Sequence, residues 1–305
     1  MHRFKRLAAA AGLLALASLA RADDAALTVC MAEDNPPLSR QAQGEMQGLD
    51  VRIARAVAAE LGRPLSIVPF ESEYEAESTL SQEVNALLSS GVCQLASGFA
   101  LIGGDLGAPV RPTARVPDYP GAKRRPLRPW VKLGTLVPSR AYHAMAMGLV
   151  VRDALRAGAT LADPGDARIG VVSGTLAGTA ATLFRNGKLR PQLVSVAQNE
   201  DVLELLEAGR FDAALVPLDR LDAWRLAHPG TPLRRTPYLH PYRINLGLVG
   251  LAGATAELRA ADRVIARALD SGELRRWCEE TGTTWVAPVE PQVTPAFSFP
   301  DLLRE

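Results

Sequence analysis

The sequence predicts an α/β protein whose strands lie in parallel sheets and are joined by crossover helices. Two observations support this prediction, and a third indicates where the protein is located. Short apolar segments alternate with amphipathic helical segments along most of the chain, which is the order typical of parallel sheets. Glycines stand where several helical segments end, as C-terminal helix caps do. A cationic start followed by an apolar run indicates export of the chain.

The N-terminus resembles a cleavable secretory signal. Basic residues near the start precede an apolar run at residues 7–20, and Ala20 and Ala22 occupy the positions that signal peptidase reads. The run is shorter than the roughly 20 residues that span a bilayer, although an uncleaved anchor is the alternative. We therefore predict a signal peptide at residues 1–22, a periplasmic location and no membrane span after cleavage.

Removal of the signal leaves a mildly acidic protein. The segment contains four basic residues and no acids, so Lys plus Arg falls from 34 to 30 against 33 acids and the net charge becomes −3. Nucleic-acid-binding proteins carry a strongly basic face, and this balance argues against that class. A mature chain of about 280 residues is long enough for one large domain or two small ones.

The first part of the chain alternates strands and helices. At residues 49–61, Leu49, Ile53 and Val57 recur every four residues before Gly62, which predicts an amphipathic helix. We expect a loop with a stiff Pro36–Pro37 break at residues 32–47. The other predicted elements are strands at 27–31, 65–70 and 93–97 and a helix at 80–88.

Residues 103–140 interrupt this alternation. The segment contains seven prolines and eight Lys or Arg residues against Asp105 and Asp118, so it cannot form a regular helix. Long irregular segments in compact proteins are usually functional or disordered. We expect a basic, irregular excursion.

The second part returns to strands and helices. We predict strands at 144–151, 168–172, 193–196, 211–216 and 245–251, and helices at 201–208, 218–227, 256–269 and 274–280, with a further helix opened by Ser173–Gly174–Thr175. The tail after Trp285 is rich in proline and is expected to be extended. His143, His228 and His240 are scattered, so we interpret them as surface or loop residues.

Three cysteines, Cys30, Cys93 and Cys278, allow three pairings in an oxidising compartment. A Cys30–Cys93 disulfide is favoured because both residues fall at predicted strands of one region; three free thiols are the alternative. No Cys or His spacing resembles a zinc site, and we expect no metal or other cofactor.

Five segments, taken in order, resemble the family 3 bacterial extracellular solute-binding proteins. They are Asn35-Pro-Pro-Leu-Ser39, the helix from Gly48 to Gly62, Ile169-Gly-Val-Val-Ser-Gly-Thr175, Leu206-Glu-Ala-Gly-Arg-Phe-Asp-Ala213, and residues 258–278. The cysteines at two strands are also similar to the solute-binding-like accessory proteins of periplasmic methanol-type and other quinoprotein dehydrogenases.

The resemblance implies a periplasmic binding protein-like type II fold. Two Rossmann-like lobes would enclose a central cleft and be joined by two hinge crossings. Residues 23–142 with 244–305 would form lobe 1, and residues 143–243 would form lobe 2. A ligand would lie between them at the carboxyl ends of the strands, and lobe closure would be a hinge motion. The family also implies a monomer.

The sequence departs from the amino-acid binders of this family at their charged ligand contacts. Leu101 and Leu106 stand where those proteins have a threonine and an arginine for the ligand carboxylate. Pro217 stands where they have an aspartate for the amine, with Asp219 two residues later. Burial of a zwitterion without paired charges costs several kcal/mol, so free amino acids are disfavoured unless Arg111 or Arg115 replaces the lost arginine.

Several side chains and one helix start are expected near the cleft. Ser173, Gly174 and Thr175 open a helix with free backbone N–H groups, which favours an anion, although a plain helix cap is the alternative. Glu33 and Asp34 follow the first strand. The candidate ligand-binding residues are Glu33, Asp34, Phe70, Ser97, Phe99, Ser173, Gly174, Thr175 and Asp219.

Two functions compete on these observations. The first is an accessory protein to a periplasmic quinoprotein dehydrogenase, supported by the cysteine pair, the lost ligand groups and the basic excursion. The second is the substrate-binding component of an ABC transporter for a small polar solute or amino acid, which would have a permease as partner. An enzyme would need an acid and a base around a bound substrate, and because we find no such pair we expect none.

Overall fold

The computed structural model describes residues 25–73, 78–152, 158–295 and 298–302. The predicted signal peptide lies outside these residues. The strands are β1 Leu27–Ala32, β2 Asp34–Asn35, β3 Ser39–Ala42, β4 Glu45–Gln47, β5 Leu65–Phe70, β6 Leu95–Ala100, β7 Thr113–Arg115, β8 Trp130–Lys132, β9 Leu136–Pro138, β10 His143–Val151, β11 Ile169–Val172, β12 Leu193–Val196, β13 Ala213–Pro217 and β14 Arg234–Leu251. The helices are α1 Leu49–Leu61, α2 Leu80–Ser89, α3 Leu176–Leu183, α4 Val202–Glu207, α5 Leu218–Ala227, α6 Thr255–Asp270, α7 Glu273–Thr281 and α8 Phe299–Leu302.

Among the described residues, nine strands form one mixed sheet in the order β12-β11-β13-β10-β14-β6-β1-β5, with β9 also paired to β14. The predicted parallel pairing is confirmed for β5-β1-β6, the first half-sheet, and for β13-β11-β12, the second half-sheet. In the middle of the sheet the prediction of parallel strands was wrong. There β10 runs antiparallel to β13 and to β14, and β14 runs antiparallel to β6. The α/β fold class is confirmed.

The strand β14 is much longer than the predicted strand at 245–251. It has 18 residues and carries Pro237 and Pro241 in its first half, and prolines usually exclude a segment from a sheet interior. Both prolines are exposed, and the register with β10 shifts on either side of Gly148. Such bulges let a strand tolerate residues that cannot donate to a regular ladder.

Each half-sheet has its own hydrophobic clusters. The periodic face of α1, including Ile53 and Val57, packs with α6 against the first half-sheet, and a second cluster on that half contains Leu87 of α2. Around the second half-sheet, one cluster surrounds Ile169 and another surrounds Leu203. The α1 helix ends at Gly62 in the left-handed conformation, as predicted, and Thr79 and Gln82 form a capping box at the start of α2.

Two segments that we expected to be irregular contain short strands. Residues 32–47 form the three-stranded sheet β2-β3-β4 instead of a plain loop. In the basic segment 103–140, β7 pairs with β8 in register Thr113 to Lys132. This segment is held to α2, where Asn85 Nδ2 donates to the Gly134 carbonyl at 2.8 Å and Asn85 Oδ1 accepts from the Gly134 N–H at 3.1 Å.

The Cys30–Cys93 disulfide is present, with a Cα–Cα distance of 5.7 Å, and Cys278 is a buried free thiol. The expectation for the histidines was wrong in two cases. His143 and His240 are buried, because both lie on the central strands, whereas His228 is exposed. Desolvation lowers the pKa of His143 to about 4, so its ring is neutral.

Residues 283–295 and 298–302, which together we call the C-terminal strap, follow the last long helix. Residues 283–289 have no regular secondary structure, residues 290–293 bend, and residues 299–302 form the short helix α8, so the tail is not extended throughout. The strap crosses the middle of the sheet: the Ala144 N–H donates to the Val286 carbonyl at 3.1 Å, and Thr294 bridges to Ile102 just beyond β6. It therefore passes from one half of the molecule to the other.

Candidate functional site

A cavity of about 550 Å³ opens at the carboxyl ends of β11 and β13, where ligands bind in open α/β sheets. It is bounded by the second half-sheet, by the central strands β10 and β14, and by the first turns of α3 and α5. Its lining residues are Met145, Ala146, Met147, Val172, Thr175, Leu176, Ala177, Gln198, Glu200, Val202, Leu215, Val216, Pro217, Asp219, Arg220, Tyr242 and Ile244.

The central strands give the cavity a largely apolar wall. Met145 and Met147 on β10 and Tyr242 and Ile244 on β14 are separated by one residue each, the spacing that places side chains on one face of a strand. Val202, at the start of α4, closes another side. The site is therefore suited to the apolar body of a ligand.

Asp219 is the carboxylate in this lining that lacks a full set of partners. It lies in the first turn of α5, and its Oδ1 atom is buried with no hydrogen-bond partner among the described residues. Burial raises the pKa of Asp219, opposed by nearby backbone N–H groups and by Arg220. An unsatisfied buried acceptor costs about 1–3 kcal/mol, a cost that a donor or cation on a ligand would remove.

The other charged lining residues already have partners. Arg220 Nη2 lies 2.7 Å from Asp201 Oδ2, and Glu200 Oε2 accepts from the Ala197 N–H at 3.1 Å. Because Asp201 neutralises Arg220, the remaining charge at the cavity is negative.

The predicted anion-binding turn, Ser173–Gly174–Thr175, uses its polar groups internally. The Thr175 hydroxyl accepts from the Gly178 N–H at 3.1 Å and donates to the Val172 carbonyl at 2.7 Å, which makes it a helix cap. Ser173 bonds to Ser195, and Gln198 Nε2 donates to the Ser173 carbonyl at 3.1 Å. Of this turn, Thr175 lines the cavity and Ser173 and Gly174 do not.

The candidate residues of the first half-sheet do not reach this cavity. Phe70 and Phe99 are buried in the cluster that contains the Cys30–Cys93 disulfide. Glu33 and Asp34 follow β1 and are at least partly accessible to solvent. Of the nine predicted ligand-binding residues, only Thr175 and Asp219 line the cavity, so a role for the other seven stays a prediction.

Ser97 lies beside a buried polar cluster of Asp50 and Tyr142, which was not predicted from the sequence. The Tyr142 hydroxyl donates to Asp50 Oδ1 at 2.6 Å and accepts from the Gly98 N–H at 2.9 Å. Desolvation raises the pKa of Asp50 to about 6, while the hydroxyls of Tyr142 and Ser97 lower it. Asp50 looks in the sequence like an ordinary first-turn acid of α1, and only its close approach to β6 shows that it is buried.

Asp222, one turn after Asp219 on α5, is tied to the strap. Its carboxylate accepts from the Thr284 N–H at 2.6 Å and from the Thr284 hydroxyl at 2.7 Å. Burial raises the pKa of Asp222 to about 6, against the lowering effect of these bonds. The helix that carries Asp219 is thereby fixed to the C-terminal strap.

Within the residues that the structure describes, no cluster of His, Cys, Asp and Glu could hold a metal ion. None of the helices in that part of the chain has the length and apolar character required to cross a bilayer.

Comparison with known proteins supports the same class of fold. Residues 27–92 match the family model described as bacterial extracellular solute-binding proteins, family 3. No curated protein sequence matches the chain. Among solved structures, substrate-binding domain 2 of GlnP from Lactococcus lactis, in an open conformation, is similar with a TM-score of 0.59 and 12% identity over 84% of this chain and 94% of that one.

Two further structures have the same fold. The L-cystine solute receptor of Neisseria gonorrhoeae, unliganded and open, is similar with a TM-score of 0.57 and 18% identity over 86% of this chain and 94% of that one. An ancestral cyclohexadienyl dehydratase is similar with a TM-score of 0.54 and 17% identity over 84% of this chain and 92% of that one. The chain thus has the periplasmic binding protein type II fold, and its residues 27–92 have the sequence pattern of the family 3 solute-binding proteins.

Proposed function

We propose that the protein is a periplasmic solute-binding protein that takes a small, largely apolar ligand bearing a cationic or hydrogen-bond-donating group. The observation that carries this proposal is the largely apolar cavity of about 550 Å³ with Asp219, whose Oδ1 atom is buried without a hydrogen-bond partner among the described residues, in its lining. Its volume lies within the range of about 300–1,000 Å³ that small-molecule sites usually have.

The ligand class follows from the charges at the cavity. A carboxylate on the ligand would need a cation, but the guanidinium of Arg220 is paired with Asp201. An amine opposite Asp219 would satisfy the buried Oδ1 atom, while its apolar part covers Met145, Met147 and Val202. This supports an amine over a free amino acid, in agreement with the charge losses in the sequence.

In this proposal the chain divides as the sequence predicts, into lobe 1 at residues 23–142 and 244–305 and lobe 2 at residues 143–243. The separate hydrophobic clusters of the two half-sheets support that division. The solute would pass to a membrane permease of the ABC transporter type, because the similar solved structures include a solute receptor and a substrate-binding domain of a putative amino acid ABC transporter from Streptococcus pneumoniae. No chemical step is assigned to the protein, although one structural neighbour is a dehydratase.

The test is a thermal-shift and calorimetric panel that varies one ligand group at a time. We would compare 2-phenylethylammonium, L-phenylalanine and 3-phenylpropanoate, which share an aromatic body. A ligand at 100 times its Kd stabilises a folded protein by about 2.7 kcal/mol, which corresponds to a Tm increase of roughly 4–5 °C for a protein of this size. We expect this increase with the amine alone.

The matched variants are Asp219→Asn and, as a control, Asp270→Asn at an exposed carboxylate outside the cavity. We expect the first to weaken amine binding at least tenfold and the second to leave it unchanged. If no member of the panel binds to the unmodified protein in calorimetry, the proposed ligand class is refuted. Equal amine binding by the protein and its Asp219→Asn variant would refute the role of the carboxylate.

An accessory role beside a periplasmic quinoprotein dehydrogenase is the second candidate. It is favoured by the basic segment 103–140, which exposes Val110, Leu127 and Trp130 to 90%, 66% and 53%. Lys123, Arg124 and Lys132 of the same segment are also exposed. Exposed apolar side chains among cations are suited to an acidic protein surface.

This candidate is tested by co-purification from the periplasm of the native host. A dehydrogenase that elutes with the protein, and that is lost with the double variant Leu127→Ser/Trp130→Ser, would support the accessory role. If the double variant recovers as much dehydrogenase as the unmodified protein, or if the unmodified protein recovers none, docking through this segment is refuted. The exposed control Leu80→Ser lies outside it.

A further inference from the structure

The C-terminal strap is bonded to the first half-sheet at the carboxyl end of β6. The Thr294 N–H donates to the Leu101 carbonyl at 2.7 Å, and the Gly103 N–H donates to the Thr294 carbonyl at 2.9 Å. The Ala141 N–H also donates to Gln292 Oε1 at 2.8 Å. The backbone groups of Leu101 and Gly103, at an edge where ligands bind in such folds, are therefore already occupied by the chain itself.

The strap is also bonded to the middle of the sheet through Asn245 of β14, whose side chain is fully buried. Asn245 Nδ2 donates to the carbonyls of Val289 at 2.7 Å and Gln292 at 2.9 Å, and Oδ1 accepts from the Val289 N–H at 2.9 Å. A single buried side chain thus holds the strap at both Val289 and Gln292.

The two ends of the strap reach the second half of the molecule. Thr284 bonds to Asp222 of α5, and the next buried strap residue, Val286, packs with Leu218 of the same helix. At the other end Leu302 is buried in the cluster of the second half-sheet that contains Phe184. Rotation of one half against the other would have to break contacts at one end of the strap or the other.

We propose that the strap is a built-in clamp that fixes the angle between the two halves and fills the first half's part of the cleft. Hinge closure depends on a few residues that are free to absorb the rotation. Here β10 and β14 connect the halves, but the strap adds hydrogen bonds on both sides of them. The ligand is then bound by the second half-sheet without closure of the cleft.

The test measures the distance between the halves and needs no ligand. Spin labels at Ser271→Cys, after α6, and Ala208→Cys, after α4, occupy exposed positions. The native cysteines are unreactive there, since two form a disulfide and Cys278 is buried. We expect one narrow distance distribution for the intact protein, and at least a doubled width for Thr294→Pro, which removes the N–H bonded to Leu101.

Leu302→Ala, which affects only the docking of the last turn, provides a second strap variant should Thr294→Pro not fold. We expect it to broaden the distribution as well, whereas the exposed control Ala287→Ser should keep the native width. A broad distribution in the intact protein, or a native width in a folded strap variant, would overturn the clamp. Either result leaves the ligand panel of the proposed function unaffected.

Discussion

Replacement of Asn245 by alanine should release the middle of the strap. The buried amide makes three hydrogen bonds of 2.7–2.9 Å to the backbone of Val289 and Gln292. Each such bond contributes about 1 kcal/mol net, and the freed backbone groups either stay buried without partners or leave the sheet with the strap. We therefore expect Asn245→Ala to lower the free energy of unfolding by about 3 kcal/mol.

Urea denaturation followed by circular dichroism measures the total loss, and hydrogen exchange locates it. A loss of about 3 kcal/mol confined to the strap corresponds to roughly a hundredfold faster exchange at the Val289 and Thr294 amides. The control is Asn199→Ala, at an exposed position in the turn before α4, which should change stability by less than about 0.5 kcal/mol. Unchanged exchange at Val289 in Asn245→Ala would refute the reasoning.

Three further predictions concern the two half-sheets. Replacement of Cys30 and Cys93 by serine removes a disulfide that joins residues 63 positions apart. It should lower the free energy of unfolding, measured by urea denaturation, by about 4 kcal/mol, and a loss below about 1 kcal/mol would contradict the presence of the disulfide. The pKa of Asp50 is raised from 3.8 to about 6, so ionisation of this buried carboxyl destabilises the fold increasingly as pH rises from about 4 to about 6 and by a constant amount above that. The stability of Asp50→Asn relative to the unmodified protein should thus increase by about 3 kcal/mol between pH 4 and pH 8, and a pH-independent difference would refute the burial of the charge. In Gly170→Ala the new Cβ would lie 2.3 Å from the Phe211 ring, which should lower the free energy of unfolding by about 1–3 kcal/mol. The control Gly230→Ala, where the new Cβ has no atom within 4 Å, should lose less. Equal urea-denaturation midpoints for the two variants would contradict the close packing of Gly170 against Phe211.

Much of the local structure could be predicted from residue patterns. The four-residue spacing of Leu49, Ile53 and Val57 fixes the buried face of α1, and Gly62 ends it, because both depend on neighbours in sequence. The disulfide could be proposed because both cysteines fall at predicted strands of one region. The extent of β14 could not, since Pro237 and Pro241 predict a break that only the bulged pairing with β10 removes.

The candidate site was predicted only in part. Asp219 and Thr175 were found because they follow strands of one half-sheet, where the α/β order places a site. Met145, Met147 and Tyr242 were missed, since a methionine or tyrosine on a strand looks the same whether it faces a core or a cavity. Asp50 was missed for a related reason: its partners Tyr142 and Gly98 are distant in the sequence.

By itself, the sequence determined the class of fold and most elements of the two half-sheets, because these depend on residue type and short-range periodicity. Tertiary structure decided the antiparallel centre of the sheet, the apolar cavity and the path of the strap over Asn245. Those features arise from pairing between residues far apart in the chain. Backbone groups such as those of Leu101 and Thr294 are the same in every residue, so the sequence does not show which groups will bond to each other.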